Sequence, residues 1–150
     1  MAGMNFETTC EVGAAPATVF AALAAVERMP EWSGVHRSVR VESVDAQGRP
    51  EVVYAEAAVL GFTDRQRYRY VWTDTELDWN TEVTDHLRVH RGNYRVTASG
   101  TGSTVTIRYE LVPALPVPGL LLRAGRTIAA DSFRKKFVGY VESFTGEVAR

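Results

Sequence analysis

Hydrophobic and polar residues alternate along most of this chain, and the period changes near the C-terminus. A two-residue period places successive side chains on opposite faces of a β-strand. On Glu51–Val59, the residues Val53, Ala55, Ala57 and Val59 fall on one side, opposite Tyr54 and Glu56. On Asp64–Thr73, Tyr68, Tyr70 and Trp72 oppose Arg65, Arg67 and Arg69. On Glu76–Thr84, Leu77, Trp79, Thr81 and Val83 oppose Glu76, Asp78, Asn80 and Glu82. On the strand at about Gly92–Ala98, Tyr94, Val96 and Ala98 oppose Arg95 and Thr97. On Thr104–Leu111, Val105, Ile107, Tyr109 and Leu111 oppose Thr104, Thr106, Arg108 and Glu110. Five successive strands with one mainly apolar face predict a one-sided antiparallel sheet, wet on its outer surface. The outer arginines and acids are expected to pair across strands.

The remaining elements follow from punctuation and period. Asn5–Val12 reads as strand one, and Gly13–Pro16 breaks it. Pro16 suits a first helical turn, so Ala17–Val26 is expected to be a short helix with Val19, Phe20 and Leu23 on one face. Arg28–Gly34 is irregular or a second short helix, strand two covers about Arg37–Val44, and Asp45–Pro50 is a hairpin turn. Ser99–Ser103 is a Gly-rich turn and Val112–Gly119 a Pro-rich hinge, before a last helix at about Leu120–Val148. On that helix Leu122, Ala129, Ala130, Phe133, Phe137, Tyr140, Val141 and Phe144 form one stripe at helical spacing. Asp131, Lys135 and Glu142 lie opposite, and Arg134 sits at the margin. A helix too long for a simple crossover must lie across the sheet, and a curved sheet gripping a long helix leaves a cavity between the two.

Composition narrows the class. A chain of 150 residues, 45% hydrophobic and 23% charged, reads as a single globular domain over 1–150. A formal net charge of −1 provides no field for nucleic acid or an anionic membrane. Cys10, the one cysteine, excludes an internal disulfide and points to a reducing, cytoplasmic setting. No basic-then-apolar leader and no membrane-spanning run is visible. His36, His86 and His90 read as unremarkable, and His86 and His90, four apart in strand-like sequence, make no shared metal site. No metal and no cofactor is expected.

The order strand, helix, Pro30–Trp32 (PEW), six more strands and a C-terminal helix resembles the helix-grip fold. The chain resembles the polyketide cyclase/dehydrase and lipid-transport group of the START/Bet v 1-like superfamily. Ala15–Leu23 (APATVFAAL), the Gly92–Val96 strand, Gly100–Leu111 and Pro116–Leu121 carry the resemblance along with PEW. It implies a seven-stranded curved sheet around the last helix, with two short helices after strand one, and a deep hydrophobic cavity. Members bind lipids, sterols, polyketides or hormones, and a minority do chemistry. Aromatase/cyclases of the group carry an inward serine and arginine on the fourth strand, whereas the inward positions here read Tyr68, Tyr70 and Trp72, so those catalytic roles transfer to no residue.

The candidate ligand-binding residues are Trp32, Tyr68, Tyr70, Trp72, Trp79, Tyr94, Tyr109, Arg126 and Phe133. Each inward aromatic also fits a plain core, but four inward tyrosines need hydroxyl partners or water, which a hydrated pocket supplies. Trp32 has a second role open to it as a plug between the short helices and the sheet. Arg126 interrupts the apolar stripe. It either snorkels to solvent or binds a carboxylate, phosphate or enolate oxygen at the cavity mouth. By the alternation above, no Asp, Glu or His faces inward from strands three to seven. Binding of a medium-sized hydrophobic molecule (lipid, polyketide or isoprenoid-like) therefore ranks above catalysis. The alternatives are a cyclase or dehydratase using pocket tyrosines and Arg126, and an interaction module or homodimer contact through Leu120, Leu121 and Ile128.

Overall fold

The computed structural model describes residues 3–59, 62–114 and 132–144. Its strands are β1 (Met4–Val12), β2 (His36–Val44), β3 (Pro50–Val59), β4 (Phe62–Trp72), β5 (Glu76–Thr81), β6 (Leu87–Ser99) and β7 (Gly102–Pro113). They form one antiparallel sheet in the order β1-β7-β6-β5-β4-β3-β2. After β1 the chain crosses from one edge of the sheet to the other through helix α1 (Pro16–Ala24) and a 3-10 turn (Val26–Glu31). Pro16 occupies the start of α1, where its missing N–H costs nothing, and the helix buries Val19, Ala22 and Leu23. The C-terminal helix α2 is described over 132–142. Leu120, Leu121, Leu122, Arg123, Arg126, Ile128, Ala129, Ala130 and Asp131 lie outside the described residues.

The sheet is curved and open, and α2 completes the helix-grip arrangement. Phe137, Tyr140, Val141 and Phe144 are buried, as the stripe required, whereas Lys135 and Glu142 are exposed. Polar ties hold the described part of the helix to the fold, among them two to the segment around α1. The Tyr140 hydroxyl donates to the Ala22 carbonyl of α1 at 2.9 Å, and Glu142 Oε2 accepts from the Gly13 N–H at 2.7 Å.

The alternation holds where the sheet is covered. Val53, Ala55, Ala57, Tyr68, Tyr70, Trp72, Leu77, Val96, Val105, Ile107 and Leu111 are buried. On the outer face Arg67 meets Glu42 at 3.0 Å, Arg91 meets Glu110 at 2.7 Å and Arg108 meets Glu7 at 2.9 Å, so the expected cross-strand pairs exist. Two inward assignments fail. Val83 is 74% exposed because β5 ends at Thr81, and Ala98 is exposed beside the β6–β7 turn.

Candidate functional site

A cavity of about 440 Å³ lies between the inner face of the sheet, the Trp32 turn and the described start of α2. Register aligns one row of its wall. Phe6 pairs with Tyr109, Tyr109 with Gly92, Gly92 with Trp79, and Trp79 with Tyr70, so these five positions share one face. Gly92 is the gap in this row, and the Trp79 indole fills it. A Cβ at residue 92 would sit 2.7 Å from Cε2, Cζ2 and Nε1 of that indole, closer than packed carbon atoms allow. The missing side chain on β6 is what lets the β5 indole lie against the sheet.

Of the expected ligand residues, Trp32, Tyr68, Tyr70, Trp79, Tyr94, Tyr109 and Phe133 all line this cavity. Trp32 also sits against α2, with ring centroids 5.6 Å from Phe133 and 5.4 Å from Phe137. Its buried indole N–H has no hydrogen-bond partner among the described residues. Trp72 is not among the lining residues. Its indole donates to the Pro50 carbonyl at 2.7 Å, and its ring packs on Tyr70 and Phe20. Arg126 lies outside the described residues.

The expectation that no Asp or His faces inward is overturned. Asp64, Gln66 and His90 are all buried on the inner face, and His36 enters the cavity wall from the first residue of β2. Asp64, Gln66 and His36 belong to one ordered chain of hydrogen bonds. His86 Nδ1 lies 2.8 Å from Asp64 Oδ1, and Gln66 Nε2 donates to Asp64 Oδ2 at 3.0 Å. The Tyr68 hydroxyl donates to Gln66 Oε1. Having given its proton there, it accepts from His36 Nε2, 2.6 Å away. That assignment makes His36 Nδ1 the acceptor for the Ser33 hydroxyl. A second cluster joins His90 to the Tyr109 hydroxyl at 2.7 Å and to Thr81 Oγ1 at 3.2 Å.

Electrostatics at these groups is set by dehydration. Burial lowers His36 from 6.5 to about 4. Burial lowers His90 to about 3, with His36 adding to the fall and Asp64 opposing it. Both imidazoles are therefore neutral near pH 7. Burial pushes the phenols of Tyr68, Tyr70, Tyr94 and Tyr109 upward, so all four keep their protons. Among the described residues no group of His, Cys, Asp and Glu has the arrangement to hold a metal ion, and no helix is long and apolar enough to cross a membrane.

A curved, open antiparallel sheet of seven strands with a C-terminal helix is the helix-grip fold of START-like structures. Residues 4–142 match the model of the family described as polyketide cyclase / dehydrase and lipid transport, and the chain belongs to that family. Solved structures agree in fold. A START superfamily protein from Mycobacterium smegmatis superposes with a TM-score of 0.81 at 17% identity, covering 94% of this chain and 99% of that one. The ZhuI aromatase/cyclase from a Streptomyces species gives 0.71 at 15% identity, covering 99% and 95%. The protein TTHA0849 from Thermus thermophilus also gives 0.71, at 17% identity, covering 93% and 97%. No curated protein matches in sequence.

Proposed function

We propose that the protein binds a medium-sized hydrophobic molecule of lipid, polyketide or isoprenoid type between the sheet and α2. The observation that carries this reading is a cavity of about 440 Å³ walled by seven of the aromatic residues expected from the sequence to bind ligand. That volume falls within the roughly 300–1,000 Å³ of small-molecule sites. The proposed setting is a reducing cytoplasm, in keeping with the buried free thiol of Cys10. Native mass spectrometry of freshly purified protein is expected to reveal a co-purified small molecule. Replacing Trp79 with Ala is expected to alter the affinity of an apolar fluorescent dye. Dye binding that is absent in the parent protein and cannot be restored by delipidation would refute the reading.

A second reading, a polyketide cyclase or dehydratase, gains support from the inward His36, His90 and Asp64. Binding still ranks first for a geometric reason. A general acid or base must reach the reacting atom, yet both nitrogens of His36 are engaged, by Ser33 and Tyr68, and both nitrogens of His90 by Thr81 and Tyr109. Conversion of a poly-β-ketone substrate, lost in His36→Ala, would promote the enzymatic reading over the carrier.

A further inference from the structure

The four inward tyrosines divide into two kinds. Tyr68 and Tyr109 have their hydroxyls bound to His36 and His90. Tyr70 and Tyr94 are just as dehydrated, at 6% and 8% exposure, and both line the cavity. Yet neither of their hydroxyls has a hydrogen-bond partner among the described residues. Nor is either hydroxyl sealed into the packing, because the one fully enclosed side-chain polar atom left unpartnered among the described residues is the indole nitrogen of Trp32. The register sets the two tyrosines diagonally on the inner face, on the two strands that flank β5 and one row apart, since Tyr70 pairs with Trp79 and Tyr94 with Leu77.

We infer that Tyr70 and Tyr94 form a two-donor grip for a carbonyl oxygen, and that the ligand is an uncharged, largely apolar molecule bearing a ketone-type group. This rests on the binding reading above. A ligand that filled the cavity without an acceptor would strand two phenols and leave their desolvation uncompensated. A carbonyl oxygen has two lone pairs and accepts from both. Among the described residues lining the cavity nothing answers an anionic head: both imidazoles are neutral, and Arg108, at the rim, is exposed and paired with Glu7 at 2.9 Å. Dehydrated phenols that keep their protons are donors at every physiological pH.

The test compares two dyes of similar size, the ketone prodan and the hydrocarbon diphenylhexatriene. Tyr70→Phe and Tyr94→Phe are each expected to weaken prodan about 5-fold, the typical effect of one neutral hydrogen bond, and the double variant further. Diphenylhexatriene is expected to bind all variants as it binds the parent or more tightly. Prodan emission is expected to shift to shorter wavelength in the double variant, because a hydrogen-bonded ketone emits further to the red. Tyr54→Phe, on the outer face, serves as the control and is expected to change neither dye. Prodan affinity and emission that ignore both substitutions, or equal losses for the two dyes, would overturn the grip while leaving the binding cavity intact. A parent protein that binds neither dye would overturn the cavity reading and the grip with it.

Discussion

The sheet has a hollow on each side, one facing water and one facing the helix. The outer one is a trough of about 790 Å³ whose floor includes Arg69, Asp78, Arg91, Asn93, Arg108 and Glu110. The inner one is the smaller cavity of about 440 Å³. Both use the same device, a polar group on one strand meeting another on the next. Outside, Arg91 reaches Glu110 from β6 to β7 at 2.7 Å, and inside His90 reaches Tyr109 across the same two strands, also at 2.7 Å. The outer pairs stand in water, which replaces any bond that breaks. The bonded groups of the inner polar chain are buried, so water does not replace a partner that is lost. Identical geometry is therefore nearly free to lose on one face and costly to lose on the other.

The largest effect that this contrast requires is at Gln66, which is fully buried and joins Tyr68 to Asp64. Gln66→Ala removes the acceptor of one buried hydroxyl and the donor to a buried carboxyl, and leaves a void. A loss of roughly 3 kcal/mol or more is expected in chemical denaturation. A loss as small as that of an outer-face substitution would erase the distinction between the two faces.

Acid comes next. In the folded protein burial holds His36 at about 4 and His90 at about 3, whereas the unfolded chain takes up a proton on each near 6.5. The unfolded state then binds more protons between those values. Stability is fully present above about pH 6.5 and falls as pH drops toward 4 and then 3. A shift of this size at His36 corresponds to roughly 3 kcal/mol. Urea denaturation between neutral pH and pH 4 is expected to follow that slope, and His36→Asn to flatten its upper part. A flat profile in the parent protein would mean that the imidazoles are not dehydrated.

Much of the sheet is legible in alternation, and what is missed follows one rule. The buried face of most strands, the wet outer arginines and the α2 stripe over 133–144 all come from spacing, because burial of apolar groups is what the spacing records. The inner polar chain is missed because a buried polar residue has the letter of an exposed one. Asp64 and Gln66 stand four and two residues before Tyr68 in the same phase, and His90 stands four before Tyr94, so parity alone pointed to them. His36 was harder. The register shifts between His36 and Ser38, which puts His36 and Val39 on the same side although they are three apart. Trp72 shares the phase of Tyr70 but lies under the Pro50 carbonyl beyond the cavity, a distinction that phase does not carry.

Gly92 tests the apolar half of the inner face. Gly92→Ala places a methyl group where the Trp79 indole lies, at 2.7 Å from three of its atoms. The ring must tilt into the cavity. A destabilisation of about 1–3 kcal/mol is expected, as for other overpacked sites. Dye affinity should fall at the same time, because the displaced ring occupies ligand space. A variant as stable as the parent, with unchanged dye binding, would show that the indole has room elsewhere.

The smallest effect belongs to the outer face. The Arg91 and Glu110 side chains keep 61% and 30% of their surface in solvent despite their 2.7 Å contact. A double-mutant cycle with Arg91→Ala and Glu110→Ala is expected to give a coupling of about 0.5 kcal/mol, shrinking further at high salt. Water satisfies whichever partner remains, so neither single substitution leaves an orphan. A coupling above about 2 kcal/mol, well beyond what exposed pairs provide, would mean that the outer trough is drier than its exposure implies. In that case the two hollows would differ in degree rather than in kind, and the outer one would have to be reconsidered as a binding surface in its own right.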